Sequence, residues 1–438
     1  MLTAFVRAFQ TPDLRKKLLI TLGLIALFRF GATLPTPGIN EHNVTTCANL
    51  ASSGTGVTAG IYQIVNLLSG NALLRLSVFS LGIMPYITST IILQLLQVVI
   101  PRLETLKQEG QSGQAKITQY TRYLTVGLAV LQSTGYITLA RSGELFPSCT
   151  AKLIPNTGVF TTIVMVITMV SGTTVIMWIG ELITDRGVGN GMSVLIFTTV
   201  ISVIPGELGQ IETDKGLFYL AMAVIVVIAI VAFVVFMEQA QRRIPVQYAK
   251  RMVGRRMYGG TSTYIPMKVN QAGVIPVIFA SSLLYIPVLA AQLFEHANNP
   301  QGWVSWIEKY IETTSSAFYM LAFFVLIIGF TYFYVSITFN PVEVADNMKK
   351  YGGFIPGIRP GRSTAEYLRY VLDRLTAPGS LYLGVIALFP LIALAGIGVS
   401  NQFPFSGVSL LIMVGVGLDT VKQIESQLQQ RNYEGFLR

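Results

Sequence analysis

The sequence predicts an α-helical polytopic membrane protein, and three observations carry that prediction. Only 12% of the 438 residues are charged, about half of the roughly 25% usual in soluble globular chains. Ten apolar runs approach the ~20 residues that a bilayer-crossing helix needs: 18–34, 79–100, 123–139, 158–179, 188–204, 217–236, 272–291, 317–339, 378–399 and 406–421. None of them alternates apolar with polar residues, as barrel strands do. Backbone groups have no water partner in hydrocarbon, so runs of this kind must be helices.

Composition removes the other classes. Length alone would give about three soluble domains, but so few charges could not cover their surfaces. Disorder needs low hydrophobicity, whereas 52% of this chain is apolar. Two cysteines and two histidines exclude a disulfide scaffold or a zinc-finger array.

Charge placement predicts orientation. With the N-terminus inside and the side reversed at each run, 25 of the 31 basic residues fall on the cytoplasmic side and 5 outside, with Arg29 in the first run. Such positive-inside bias puts both termini in the cytoplasm. Arg15, Lys16 and Lys17 ahead of an apolar run imitate a secretory signal, but no small-x-small cleavage site follows, so a retained first helix is expected. The segment 61–80 departs from the pattern. Its apolar stretch stops at Ser69-Gly70-Asn71 and is too short to span. It reads either as an interfacial helix on the outer face or as a re-entrant segment lining a protein cavity.

The sequence predicts no catalytic residues, no metal and no cofactor. His42 and His296 fall in separate outer loops without ligand-spaced neighbours. Cys47 and Cys149 fall in two different outer loops, where a disulfide is permitted by compartment but not implied. The run Gly187-Val188-Gly189-Asn190-Gly191 follows no strand, so it reads as a tight turn between spans and not as a nucleotide loop. A secondary transporter with an inverted repeat is the alternative function. It would be expected to carry ionisable groups at mid-membrane, and the runs are nearly free of them. Ile83 and Ile87, Met192 and Ile196, Ile278 and Ile412 are bulky apolar residues in four runs that also hold small or helix-bending residues. On composition alone they are packing or lipid-facing side chains.

The sharpest chemical feature is the loop 239–271, which carries Arg242, Arg243, Lys250, Arg251, Arg255, Arg256 and Lys268 without one acidic residue. β-forming stretches flank its turn Val253–Gly260, which predicts a basic hairpin. It is either a solvated, lipid-touching loop or a dock for an anionic partner such as RNA or an acidic protein. The loop 340–374 repeats the theme, with a stiff non-helical turn at 352–361 presenting Arg359.

Eight stretches in order, PTPG at 35–38, LGIMPYI at 81–87, EGQSGQAKITQYTRY at 109–123, DRGVGNGMS at 185–193, RRIPVQYAKR at 242–251, KVNQAGVIPVIFASS at 268–282, GGFIPGIRPGRST at 352–364 and YEGF at 433–436, resemble the SecY family of protein-conducting channel subunits, in its bacterial form. The resemblance implies an all-α clamshell of ten transmembrane helices in two five-helix halves, 1–205 and 206–438, around an hourglass pore. It makes Ile83, Ile87, Met192, Ile196, Ile278 and Ile412 the pore ring. Met192 stands where the family usually has isoleucine, and its flexible thioether can still fill a gasket. Residues of about 61–71, among them Tyr62, Ile64, Val65, Asn66, Leu67 and Leu68, become a re-entrant plug. Thr88, Gln94, Ser281, Ser282 and Ile286 fall on or near a lateral gate that releases hydrophobic segments into lipid. Arg242, Arg243, Arg255, Arg256 and Arg359 become the cytoplasmic docking surface. The implied partners are the SecE and SecG subunits, the SecA motor, a translating ribosome, secretory or membrane-protein substrates and the lipid of the bacterial cytoplasmic membrane.

Overall fold

The computed structural model describes residues 9–52, 72, 75–142, 149, 153–155, 158–248, 251–253, 256–258, 262–294, 302–307, 310–311, 316–397 and 407–434. Helices α1 (Pro12–Thr33), α2 (Glu41–Ser52), α3 (Met84–Val99), α4 (Pro101–Gln108), α5 (Gln111–Ser142), α6 (Val159–Arg186), α7 (Gly191–Lys215) and α8 (Leu217–Gln239) come first. Strands β1 (Gln241–Tyr248), β2 (Arg251–Val253), β3 (Arg256–Tyr258) and β4 (Ser262–Lys268) follow. The chain continues through α9 (Ile275–Phe294), α10 (Gly302–Ile307), α11 (Ala317–Thr338), α12 (Pro341–Lys350), β5 (Gly353–Phe354), α13 (Arg362–Ile397) and α14 (Gly407–Glu434).

Each apolar run of the sequence lies largely within one of the longer helices. Among the described residues, five helical stretches are long and apolar enough to cross a membrane: α6, α8, α11 continued into α12, α13 and α14. The α3–α4 pair is a sixth if counted as one span, although it bends by 105°. Pro101 causes that bend, because its ring pushes the preceding residue out of the helical region. Ile100 accordingly sits at φ −102°, ψ 110°. The apolar parts of α7 and α9, Gly191–Gly206 and Ile275–Leu284, are shorter, and Pro205 and Pro287 interrupt those helices.

In the first half α6 packs between α1, α5 and α7, while α3 lies on α5. Arg122 on α5 grips Glu181 on α6 with a two-pronged ion pair, Nε to Oε1 at 2.8 Å and Nη2 to Oε2 at 2.7 Å. That planar fork matches the carboxylate and fixes the crossing of the two helices. In the second half α11 packs on α9 and α13, and α14 packs on α13 and α8. Between the earlier and later helices, α7 lies against α8 and α14, and α9 lies against α3 and α5.

The two basic loops form one unit. β1 and β4 pair antiparallel from Gln241↔Lys268 to Gln247↔Ser262, so the expected hairpin is present. Its far end carries a second short pair, β2 with β3, so part of the stretch 253–260 expected as turn is strand. From the other loop, β5 adds to the free edge of β1 through Gln247↔Phe354 and Tyr248↔Gly353. Strand side chains alternate faces, and Ile244, Val246 and Met267 point into a buried cluster with Met348, Ile355 and Leu368. The loop 340–374 is also more helical than its composition announces. Asn340 caps α12, its Oδ1 accepting from the Val342 and Glu343 amides, which satisfies donors that a helix start leaves open. At the root of the hairpin Asn270 Nδ2 donates to buried Glu238 Oε1 at 2.6 Å, and Lys268 Nζ lies 3.4 Å from Asp419 Oδ1 on α14.

Ile244 is 1% exposed, and emptying such a site costs about 2–5 kcal/mol. Ile244→Ala should therefore loosen the joint sheet, read as faster protease cleavage within 239–271 while the helical content of the protein stays unchanged.

Candidate functional site

The site is an apolar cluster built largely from helix starts. Before α3 the chain turns tightly, with Ser80 N–H donating to Ser77 O at 3.0 Å and Gly82 N–H to Phe79 O at 2.9 Å. Those turns deliver Ile83 as the residue that caps α3, and Pro85 follows at the first turn, where a missing N–H does no harm. Ile87 comes one turn later on the same face. The Leu76 carbonyl anchors the approach. It accepts from Thr36 N at 3.1 Å and from Thr36 Oγ1 at 2.7 Å.

On α7 the same economy places Met192 and Ile196. Asn190 Oδ1 accepts from the Met192 amide at 3.1 Å, and Thr184 Oγ1 accepts from the Gly191 amide at 2.9 Å. Gly191 rests on the carbonyl of Gly180, where a Cβ would collide with the oxygen. The glycine-rich stretch is therefore a close helix crossing between α6 and α7, as its reading as a tight turn expects. α9 contributes Ile278, and α14 contributes Ile412. A Cβ on Gly415 would stand 3.0 Å from Val274, so that glycine makes room for the side chain just ahead of α9.

All six side chains meet in one apolar cluster. Ile83, Ile196, Ile278 and Ile412 are buried in it, and Ile87 and Met192 pack against it half-buried. Phe28 of α1 and Ile176, Ile179 and Ile183 of α6 stand among its members. The cluster thus draws on both halves of the chain. Chemically these side chains offer hydrocarbon and one thioether. Among the described residues no group of three His, Cys, Asp or Glu could hold a metal.

The other predicted residues fall in three places. Thr88 on α3 is buried and donates to Met84 O at 2.9 Å, and Gln94 is half-buried on the same helix. Ser281 on α9 donates to Ile278 O at 2.9 Å, whereas buried Ser282 Oγ has no partner among the described residues. Ile286 also lies on α9. α9 packs against α3 and α5, so these residues belong to helices that touch. Arg242 and Arg243 are exposed on β1, and Arg359 is exposed on the turn after β5. Strand pairing brings those two loops together, although the sequence treats them separately. Arg243 also lies over the Tyr264 ring, 4.9 Å from its centroid. Arg256 lies on β3, while Arg255 and the residues expected to form a plug, Tyr62, Ile64, Val65, Asn66, Leu67 and Leu68, lie outside the described residues. The sequence reading missed Phe28, Ile176, Ile179 and Ile183. Phe28, Ile176 and Ile179 sit within long apolar runs and Ile183 lies just beyond one, where nothing in the sequence distinguishes a residue facing the cluster from one facing lipid.

A model of the SecY family matches residues 77–421. The chain belongs to the SecY family. It is 62% identical, over all of both chains, to the protein translocase subunit SecY of Streptomyces coelicolor. It is 58% identical, again over all of both chains, to the same-named subunit of Mycobacterium tuberculosis. Among solved structures, a protein-conducting channel matches with TM-score 0.61 at 17% identity, covering 94% of this chain and 92% of that one. The Sec61 channel of a canine ribosome–channel complex matches with TM-score 0.58 at 16% identity, with the same coverage. At such identities the structures speak for the SecY fold alone.

Gly191→Ala should cost about 1–3 kcal/mol, the usual penalty for overpacking a tight contact. The expected outcome is a lower thermal unfolding midpoint in detergent, together with looser packing of Met192.

Proposed function

We propose that this chain is the channel subunit of a protein translocase, which passes unfolded polypeptides across a membrane and releases hydrophobic segments into it. The observation that carries the reading is the convergence of six bulky apolar side chains, drawn from both halves of a SecY-family chain, in one constriction. A pore for varied polypeptide cannot depend on specific polar contacts, because its cargo changes from residue to residue. An apolar constriction yields to any side chain, and when closed it blocks ions by shedding water. Small-solute transport has no comparable support, since the apolar runs are nearly free of the ionisable groups that a coupled transporter would carry.

The finer reading follows from the charge pattern, the helices and the family. Ten helices span the membrane, one for each apolar run, and form halves 1–205 and 206–438. α3 and α5 face α9 and α11 as the lateral gate, with Thr88, Gln94, Ser281, Ser282 and Ile286 on or near its seam. Residues of about 61–71 act as the plug. Both termini and the joint sheet face the cytoplasm, as the 25-to-5 division of basic residues supports. The membrane is the bacterial cytoplasmic membrane. The exposed arginines of the joint sheet form the docking surface for the SecA motor or a translating ribosome, which supplies the driving force. SecE and SecG complete the complex. The role is conduction, not chemical catalysis.

The decisive experiment traps a secretory chain in transit with a photoreactive side chain at Ile83 or Ile278. Adducts with the cargo are expected at both sites, and their absence at both would overturn the pore assignment. Arg359→Glu should weaken motor-driven translocation in vesicles while the protein still inserts normally. Deleting residues 62–69 should raise the ion conductance of the resting channel.

A further inference from the structure

Cys47 and Cys149 form a disulfide across a sequence separation of 102 residues, with their Cα atoms 5.4 Å apart. That separation suits an ordinary bridge. Cys47 belongs to α2 and is fully buried, while Cys149 lies in the chain between α5 and α6. A second tie joins the same two segments, since the Asn40 amide donates to Leu153 O at 3.1 Å. Around the bridge, Cys47 packs in a buried apolar cluster with Leu76, Leu81, Ile137, Leu153 and Met165, and Cys149 packs against it half-buried.

Leu76 and Leu81 matter most, because they belong to the approach that delivers Ile83 to the constriction. Leu76 is the one non-glycine residue with positive φ among the described residues, at +45°. The left-handed region is unfavourable for a residue with a side chain, and such a conformation persists only where its surroundings hold it. The Leu76 side chain is fully buried in the cluster that the bridge closes, and its carbonyl is held by Thr36.

We propose that the Cys47–Cys149 bond is a covalent staple, made on the oxidising side of the membrane, that holds the approach to the constriction in place. Two thiols are oxidised. Their sulfurs join, and two electrons and two protons pass to a disulfide donor outside the membrane, which leaves as a dithiol. The bond requires an oxidising compartment, and the charge count independently assigns both cysteines to the outer side. In closing a loop that contains α3 and α5, the staple makes the outer end of the first half one body. It restrains the unfolded chain as well, and long loops restrain it most.

The experiment has two arms. In intact cells, free thiols are blocked with N-ethylmaleimide, and the protein is then denatured, reduced and tagged with a maleimide polymer. Two tags after reduction and none without it are expected. Tagging prevented by the first alkylation would show free thiols and overturn the bond, whatever the protein conducts. The second arm rests on the channel reading and compares the reconstituted wild type, with and without reductant, to C47A/C149S. Reduction or substitution should raise the resting ion leak several-fold and lower the unfolding midpoint by several degrees. Reductant should leave the variant unchanged. If reduction of the folded wild type alters neither leak nor midpoint, the staple role is wrong, even where the variant fails to assemble. A failed cross-link from Ile83 and Ile278 would overturn the channel reading and leave the first arm untouched.

Discussion

A peptide group inside hydrocarbon has no water to pair with, so protein must supply its hydrogen bond. Most of this chain answers with helices. The instructive exception is the approach to Ile83, where non-helical backbone runs beneath the helix packing. Neighbouring backbone meets several of its peptide groups: Val78 N–H donates to Leu34 O at 2.9 Å, Ser77 N–H to Ala72 O at 3.0 Å, and Thr36 N–H to Leu76 O at 3.1 Å. Pro35, which has no N–H, bridges to Ser77 beside them. Irregular backbone survives here because protein surrounds it, and that freedom lets the start of α3 arrive at the apolar cluster at an angle that no continuous helix could give.

The same requirement shapes what the constriction can be. With backbone groups satisfied inside the helices, only side chains face inward, and six of those are aliphatic or thioether. Dispersion contacts of this kind are individually small and carry no directional preference. The contact in this cluster is thus made by packing, and a directional bond between the early and late helices stands apart from it, where Lys107 Nζ of α4 donates to Ile337 O of α11 at 3.4 Å. The more specific contacts stand elsewhere. The Arg122–Glu181 fork binds helices within the first half, and Asn270 ties to Glu238 at the root of the hairpin.

The helices were legible in the sequence because burial in lipid demands apolar runs, and those runs have sharp ends. Helix extent was less legible. α13 begins at Arg362, well before its apolar run, because the amphipathic turns ahead of that run pack on the sheet and not on lipid. The expected apolar residues of the constriction come together, but periodicity could not pick them out, since lipid-facing and inward-facing residues look alike. Family likeness singled them out. The pairing of β5 with β1 could not be read at all: a two-residue strand carries no periodic signal, and its partner lies about a hundred residues upstream. The Cys47–Cys149 pairing was permitted by compartment alone, and proximity was needed to establish it.

The joined loops have a mechanical consequence. α13 is 36 residues long, about 54 Å at 1.5 Å per residue, against a hydrocarbon layer of roughly 30 Å. One end of this rod carries Leu368, Val371 and Leu372 in the core beneath the sheet, and further along it packs on α11, α9 and α14. Arg359 lies just before the rod begins, and the sheet links it to Arg242 and Arg243. A load applied to either loop therefore reaches α13, which packs on the helices that carry Ile278 and Ile412 and whose interior Pro378-Gly379 pair favours a bend on the way. Displacement of the exposed arginines can thus be felt at the apolar cluster, through one continuous stretch of helix.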